Sequence, residues 1–233
     1  ANPGVSAHGA GNILIAANGV NQDLTLNADV QSTRGHITLS AADTISLNAN
    51  VSTATGGAIN LDAQGGDLVM AGATIVTATD SSVRLHAAGL VEVSNVTASE
   101  VSIIADVGHV INAADSTLNV TANALRLVAG DMIASNARHL TTNVDTLSAL
   151  SQHGLFITDT DTLTVDRVSV SATHVNADAT TTTITDGAQS GLVSLAGDGD
   201  IILTTVDGSI VINQGLANPG VSAHGAGNIL IAA

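Results

Sequence analysis

A phrase of alternating aliphatic and polar residues that returns about every 22 residues constrains this chain more than any other feature. It is plainest in Asp23–Val30 (DLTLNADV) and Thr44–Val51 (TISLNANV), with His36–Asp43 (HITLSAAD) and Ala58–Gly65 (AINLDAQG) between and after them. Leu, Ile or Ala takes every second place and mostly Thr, Ser or Asn the places between, which is the period of a strand with one buried face. Matching positions fall at Leu24, Ile45, Leu68 and Leu90, and those of a partner strand at Ile37, Ile59 and Val83. A third short strand is expected around Val30, Val51, Ile75 and Val96. Turns such as Thr33–His36 and Thr55–Ala58 separate the strands. Hairpins would bring strands of varied length, whereas one phrase per turn marks a solenoid. The expected fold is all-β: a right-handed parallel β-helix, or β-solenoid, of about ten coils of about 22 residues with three short strands per coil. Residues Met132–Thr185 are less regular, but alternation persists in Leu163–Val175 and no composition shift intervenes. The same helix is expected to continue through them with longer turns.

The first seventeen residues, ANPGVSAHGAGNILIAA, return letter for letter as residues 217–233, a register of 216 residues. Packing constraints repeat residue types, not spellings, so the identity points to a tandem array. Residues 1–216 are read as one solenoid unit and 217–233 as the start of the next repeat. One coil cannot offset the cost of ordering its own backbone, and each added neighbour covers a further layer of core, so such coils come in series. Ten of them would make a rod of about 48 Å at about 4.8 Å per stacked strand.

Composition agrees with a thin, regular core. Hydrophobic residues make up 45% of the 233, yet Phe156 is the only aromatic among them. Absence of cysteine excludes disulfide staples, thiolate-bound zinc and thiol nucleophiles. Five arginines, no lysine and twenty carboxylates give a net charge of −15. That balance argues against a nucleic-acid partner and favours solubility with, at most, weak attraction of divalent cations. No apolar run approaches the ~20 residues that would cross a bilayer, and no signal segment stands in the sequence, so membrane insertion is not expected.

The phrases GNILIAANG, DLTLNADV, HITLSAAD and TISLNANV resemble the β-helical repeats of filamentous-haemagglutinin-like proteins, large bacterial exoproteins exported by two-partner secretion. The resemblance covers about two thirds of the chain. It implies an extracellular or surface-attached fibre that mediates adhesion or holds a binding tip away from the cell. The family's secretion-domain signature is not matched, and a near-identical 216-residue period departs from its more divergent shafts, leaving room for another giant tandem-repeat surface protein.

Candidate chemistry is sparse. Asp159 with Asp161, and Asp198 with Asp200, are acidic pairs that could offer oxygens to a cation, although neither matches a nine-residue calcium repeat. Solvated turn carboxylates are the favoured reading. Parallel β-helices also carry polysaccharide-cleaving sites, but with arginines scattered at Arg34, Arg84, Arg126, Arg138 and Arg167 no catalytic residue is assigned and no enzyme is expected. Eight histidines, His8, His36, His86, His109, His139, His153, His174 and His224, stand singly and form no metal-binding motif. No cofactor is implied. The pairs Gly56–Gly57 and Gly65–Gly66 read as turns, and the run Thr180–Thr183 is too local for an ice-binding face. Asn27 and Asn48 hold equivalent places in successive coils, where they either stack as an amide ladder or face solvent.

Without Trp or Tyr, strong localised recognition is improbable, and the segment reads as shaft, not tip. The leading expectation is a structural shaft segment of an extracellular, cell-surface fibre, its partner being itself through end-to-end stacking of coils. An adhesin module binding host or matrix glycan or protein through a lateral face is the alternative, and a polysaccharide-active enzyme the third.

Overall fold

The computed structural model describes residues 2–114, 116–216 and 219–233. Among them there is no helix, and the twenty-four strands form sheets of seventeen, five and two strands. Every pairing in the two larger sheets is parallel and joins a strand to its counterpart a coil away. The chain is a parallel β-helix with three faces, here A, B and C.

Face A begins with Val5–Ala7 and stacks Val30–Ser32, Val51–Thr53 and residues 76–78, 96–98, 120–122 and 142–144 above it. Face B begins with Ile13–Ala17 and continues through Ile37–Ala41, Ile59–Ala63 and residues 83–87, 101–105, 125–129 and 147–151. Face C begins with Leu24–Leu26 and continues through Ile45–Leu47, Leu68–Met70, Val91–Val93 and Val110–Asn112. Like side chains therefore lie over like: Ile37, Ile59, Val83, Val101, Leu125 and Leu147 form one column and Leu39, Leu61, Leu85, Ile103 and Leu127 another, all fully buried. Branched aliphatics stacked at strand spacing fill the narrow prism between the faces.

Two registers differ by one residue from the sequence expectation. Face C continues from Leu68 to Val91, not Leu90, and on face A the inward residue is Val76 while Ile75 points out. Leu90 and Ile75 are aliphatic residues immediately before the first inward side chain, so hydrophobicity alone could not choose between neighbours.

The larger difference lies in the stretch where an unbroken helix was expected. Residues Arg167–Val175 and Thr181–Ser190 pair antiparallel as a hairpin outside the coil stack. Its root is narrow, because Val165 pairs with Leu147 and Leu192 with Ala149, so residues 166–191 leave and re-enter face B opposite the single residue Ser148. Alternation in residues 163–175 is real but serves two environments, a coil strand up to Val165 and the hairpin's own buried side, Val168, Val170 and Ala172, after it. Face B resumes with Leu192–Ser194 and Val221–Ser222, giving nine layers, while the hairpin uses about one coil's length of chain.

The phrase also changes face once. In lower layers a glycine followed by the alternating phrase, as at Gly35–Ala41, occupies face B. After face C narrows to the single bridge Val110–Ile133–Leu155, the corresponding phrases Gly154–Asp159 and Gly199–Thr205 begin on face C, where Leu155 pairs with Ile201, and end over face A, where Asp159 stacks on Thr142.

At the corners glycines stack where no Cβ would fit. A Cβ on Gly35 would lie 1.8 Å from the Gly11 carbonyl oxygen, and one on Gly57 2.3 Å from that of Gly35. Gly56 has a φ of 69°, as expected for a turn glycine, whereas Gly57 is required by close approach of backbone. Gly35→Ala is expected to lower the thermal midpoint by many degrees, since backbone must move to admit the methyl. Gly187→Ala, whose Cβ would meet nothing within 4 Å, is expected to be silent within about 0.5 kcal/mol in the same melts.

Candidate functional site

The polar features of the surface are organised by the coil period. In several columns the residue just before a strand's first inward side chain lends an acceptor to the backbone N–H of its counterpart one layer up. Asp23 Oδ1 accepts from Thr44 N–H (3.1 Å), Asp29 Oδ1 from Asn50 (2.9 Å) and Asn50 Oδ1 from Ile75 (2.9 Å). On face B, Asn12 Oδ1 accepts from His36 (2.9 Å), and His36 Nδ1 in turn from Ala58 (3.0 Å). Burial holds the His36 imidazole below its usual range, as an unprotonated acceptor nitrogen requires. Asn48 donates to Asn27 Oδ1 at 2.9 Å, so the amide ladder forms even though both side chains are exposed.

The acidic pairs belong partly to this scheme. Asp200 Oδ1 accepts from the backbone and side-chain amides of Asn228 at 2.7 and 3.1 Å, and Asp198 Oδ1 from Ala226 N–H at 2.8 Å. Asp159 is fully buried and accepts from Thr142 Oγ1 (2.6 Å), Val144 N–H (3.1 Å) and Asp161 N–H (3.0 Å). Burial raises its carboxyl above the ordinary value against those hydrogen bonds. Asp161 accepts from Thr162 N–H at 2.8 Å. Each of the four carboxylates thus holds backbone, and the pairs do not converge on a common point. Among the described residues no three His, Asp or Glu side chains are placed to share a metal ion.

Histidines that stand singly in the sequence meet carboxylates one coil away. His86 lies between Asp62 below and Asp106 above, Nδ1 against Asp62 Oδ1 and Nε2 3.1 Å from Asp106 Oδ2. Its hydrogen bond to Asp62 raises the imidazole above its ordinary value. On the Asp62 carboxyl burial is the largest single effect and pushes upward, but the His86 hydrogen bond and charge, the Arg84 charge and a hydrogen bond from Gln64 together outweigh it, and the net shift is downward. His109 and His153 both approach Asp131, at 3.4 and 2.8 Å. No local motif reveals these contacts, but partners 20 to 24 residues apart become visible once columns are read at the coil period. Beside them, His109, Ile111, Asn112, Met132 and Arg138 line an open, mainly apolar groove of about 300 Å³ on face C.

The hairpin lies along the outside of face B and reaches from its root in the eighth layer back to the second. Val175 N–H donates to Thr38 Oγ1 (2.8 Å), Ser82 Oγ to the Ser171 carbonyl (2.6 Å) and Arg126 Nε to the Gly187 carbonyl (3.0 Å). At its centre the buried Arg84 Nε meets both oxygens of Asp186 at 3.2 and 3.1 Å, while Arg84 Nη1 donates to Asn60 Oδ1 at 3.4 Å. Thr38, Asn60, Ser102 and Ser148, polar residues of the outer side of face B, are fully buried beneath or beside it.

The two ends of the stack present strands paired on one edge only among the described residues. Val5 in the first layer is 39% exposed and Ile229 in the last is 50%, whereas their counterparts in interior layers are buried. The repeated text occupies both ends. Val5 and Ile13 carry Val30 and Ile37 above them, whereas Val221 and Ile229, spelled identically, rest on Leu192 and Ile201. One segment is therefore seen with its upper edge filled and again with its lower edge filled.

Comparison of the chain with protein-family models, curated proteins and solved structures finds no match.

Two outcomes follow from the side-chain network. Because His86 is raised in the folded state, its contribution is fully present below about pH 6.5 and is lost as pH climbs through the folded value; because Asp62 is lowered, its contribution is lost as pH falls through a value below about 3.8. The stability difference between wild type and His86→Asn, followed by chemical denaturation, should shrink as pH rises above 6.5 and vanish in mild alkali. Asp186→Ala, which strands the buried Arg84 charge, should cost about 3–5 kcal/mol, and pairing it with Arg84→Met should recover most of that loss.

Proposed function

We propose that this chain is a non-catalytic structural segment of a long β-solenoid fibre at a bacterial cell surface, of the filamentous-haemagglutinin-like kind its phrases resemble. The observation that carries the reading is the seventeen-residue text paired upward at one end and downward at the other. A layer with two competent edges joins coils on both sides, and parallel strand edges bearing half-exposed isoleucine invite further strands. The network of acceptors supports the same view. Carboxylates and amides of the kind that build sites are engaged here in holding one coil to the next.

The hairpin supports a second reading, in which the unit is also an adhesin module. It is a pair of antiparallel strands set outside the repeating coils, and Thr181, Thr182 and Thr183 stand exposed on its outer arm. A glycan array or cell-adhesion assay with wild type and a Thr181→Ala/Thr183→Ala variant addresses it; a signal lost in the variant supports an adhesive role, and silence leaves the shaft alone.

End-to-end association is the outcome expected of the shaft. Sedimentation velocity should reveal concentration-dependent, elongated oligomers, and Ile229→Lys, a charge that stacking would bury, should weaken association at least about tenfold while leaving the monomer's melting temperature within a few degrees. A wild-type chain that stays strictly monomeric at high concentration would overturn the reading.

A further inference from the structure

The two copies of the repeated text do not lie on the same faces. In the first copy Val5–Ala7 is on face A and Ile13–Ala17 on face B. In the second, Val221–Ser222 extends face B, above Leu192, and Ile229–Ala232 extends face C, above Ile201. Inward and outward sides are preserved, since Val5 and Val221, Ile13 and Ile229, and Ile15 and Ile231 each stack on or under aliphatic residues of the core columns. Only the face has changed. The offset follows from the single slip of the phrase between the sixth and eighth layers, where Gly154–Asp159 takes face C in place of face B.

Resting on the fibre reading above, we infer that residues 219–233 form the first layer of a following copy of this unit, and that the following copy is turned about the fibre axis by one face. The strands that occupy the open upper edges of Val221–Ser222 and Ile229–Ala232 are then Val30–Ser32 and Ile37–Ala41 of the second copy, in the registers Val5 to Val30 and Ile13 to Ile37.

The corners agree with this seam. A Cβ on Gly227 would lie 2.5 Å from the Gly199 carbonyl oxygen, so Gly227 closes a column at the corner between faces B and C. Its twin Gly11 opens the column Gly11–Gly35–Gly57 at the corner between faces A and B, where a Cβ on Gly35 would lie 1.8 Å from Gly11. Joined through the shared glycine, the two make one unbroken line in which no layer has room for a side chain. The acceptors join in the same way. Asp200 accepts from Asn228 N–H, and the twin of Asn228, Asn12, accepts from His36, which accepts from Ala58. A second copy placed without the turn would set Val30 over the column of Val5, which runs through Thr142 and Asp159 to Thr205, and not over the spelling it pairs with in this chain.

From Val5 on face A of the first layer to Val221 on face B of the ninth, the chain advances eight turns and one face. At about 4.8 Å per layer the second copy rises about 40 Å and turns by about one third of a revolution, and orientation recurs after three copies, about 120 Å. The hairpin, rooted on face B in the first copy, stands on face C in the second and face A in the third. An array thus displays its hairpins on all sides of the shaft.

The test is a polypeptide of two full copies joined through the shared seventeen residues, imaged by electron cryomicroscopy or crystallography. The expected result is one continuous solenoid whose second hairpin lies about 40 Å along the axis and about 120° around it from the first. A continuous solenoid with both hairpins on one face would overturn the turned seam while leaving the fibre reading intact. Two solenoids that do not stack would overturn both. As a second measurement, pulsed electron paramagnetic resonance between spin labels at the two Asp178→Cys hairpin tips distinguishes the turned from the unturned arrangement. In the turned array that distance exceeds the axial rise alone, and in the unturned one it equals it.

Discussion

The structure depends on what happens to a backbone N–H at a corner. Along a straight parallel ladder each amide finds a carbonyl in the neighbouring strand, but where the chain bends the next carbonyl is displaced and a downward-pointing donor would be left dry. In this chain a short side chain one layer below supplies the acceptor, as Asp23, Asp29, Asn12, His36 and Asp200 do. These corner amides call for acceptors, in keeping with a sequence rich in Asp and Asn. A negative net charge that reads from composition as a solvated surface is in part a record of these bonds.

Much of the coil architecture is legible in the amino-acid order because a parallel stack repeats one environment. Ile37, Ile59 and Val83 stand at the spacing at which they pair, and the parity of inward and outward places follows from alternation. Leu90 and Ile75 mark where the signal runs out, since an aliphatic residue on either side of a strand's first inward place satisfies the same pattern. The hairpin was hidden for a related reason. Val168, Val170 and Ala172 alternate with polar residues as a coil strand would, but they are buried against the outside of the stack. Periodicity records that a face is covered without saying by what.

The candidate site was legible in the opposite sense. Asp159, Asp161, Asp198 and Asp200 attract attention as local pairs, yet their partners are Thr142, Thr162, Ala226 and Asn228, and three of the four reach into a neighbouring coil. His86 attracts none, being isolated in its own phrase, and lies between two carboxylates. In a solenoid the meaningful neighbours of a residue stand one turn away in either direction, so motifs read along the chain describe corners while chemistry is arranged across coils.

The root of the hairpin carries a further consequence. Residues 166–191 depart and return opposite Ser148 alone, so the ladder above and below closes around them with a single unmatched position. A stack built this way has a port at which foreign loops or whole modules can be grafted without disturbing the winding. Such a solenoid can therefore be elaborated by decorating coils one at a time, leaving the screw that carries them unchanged.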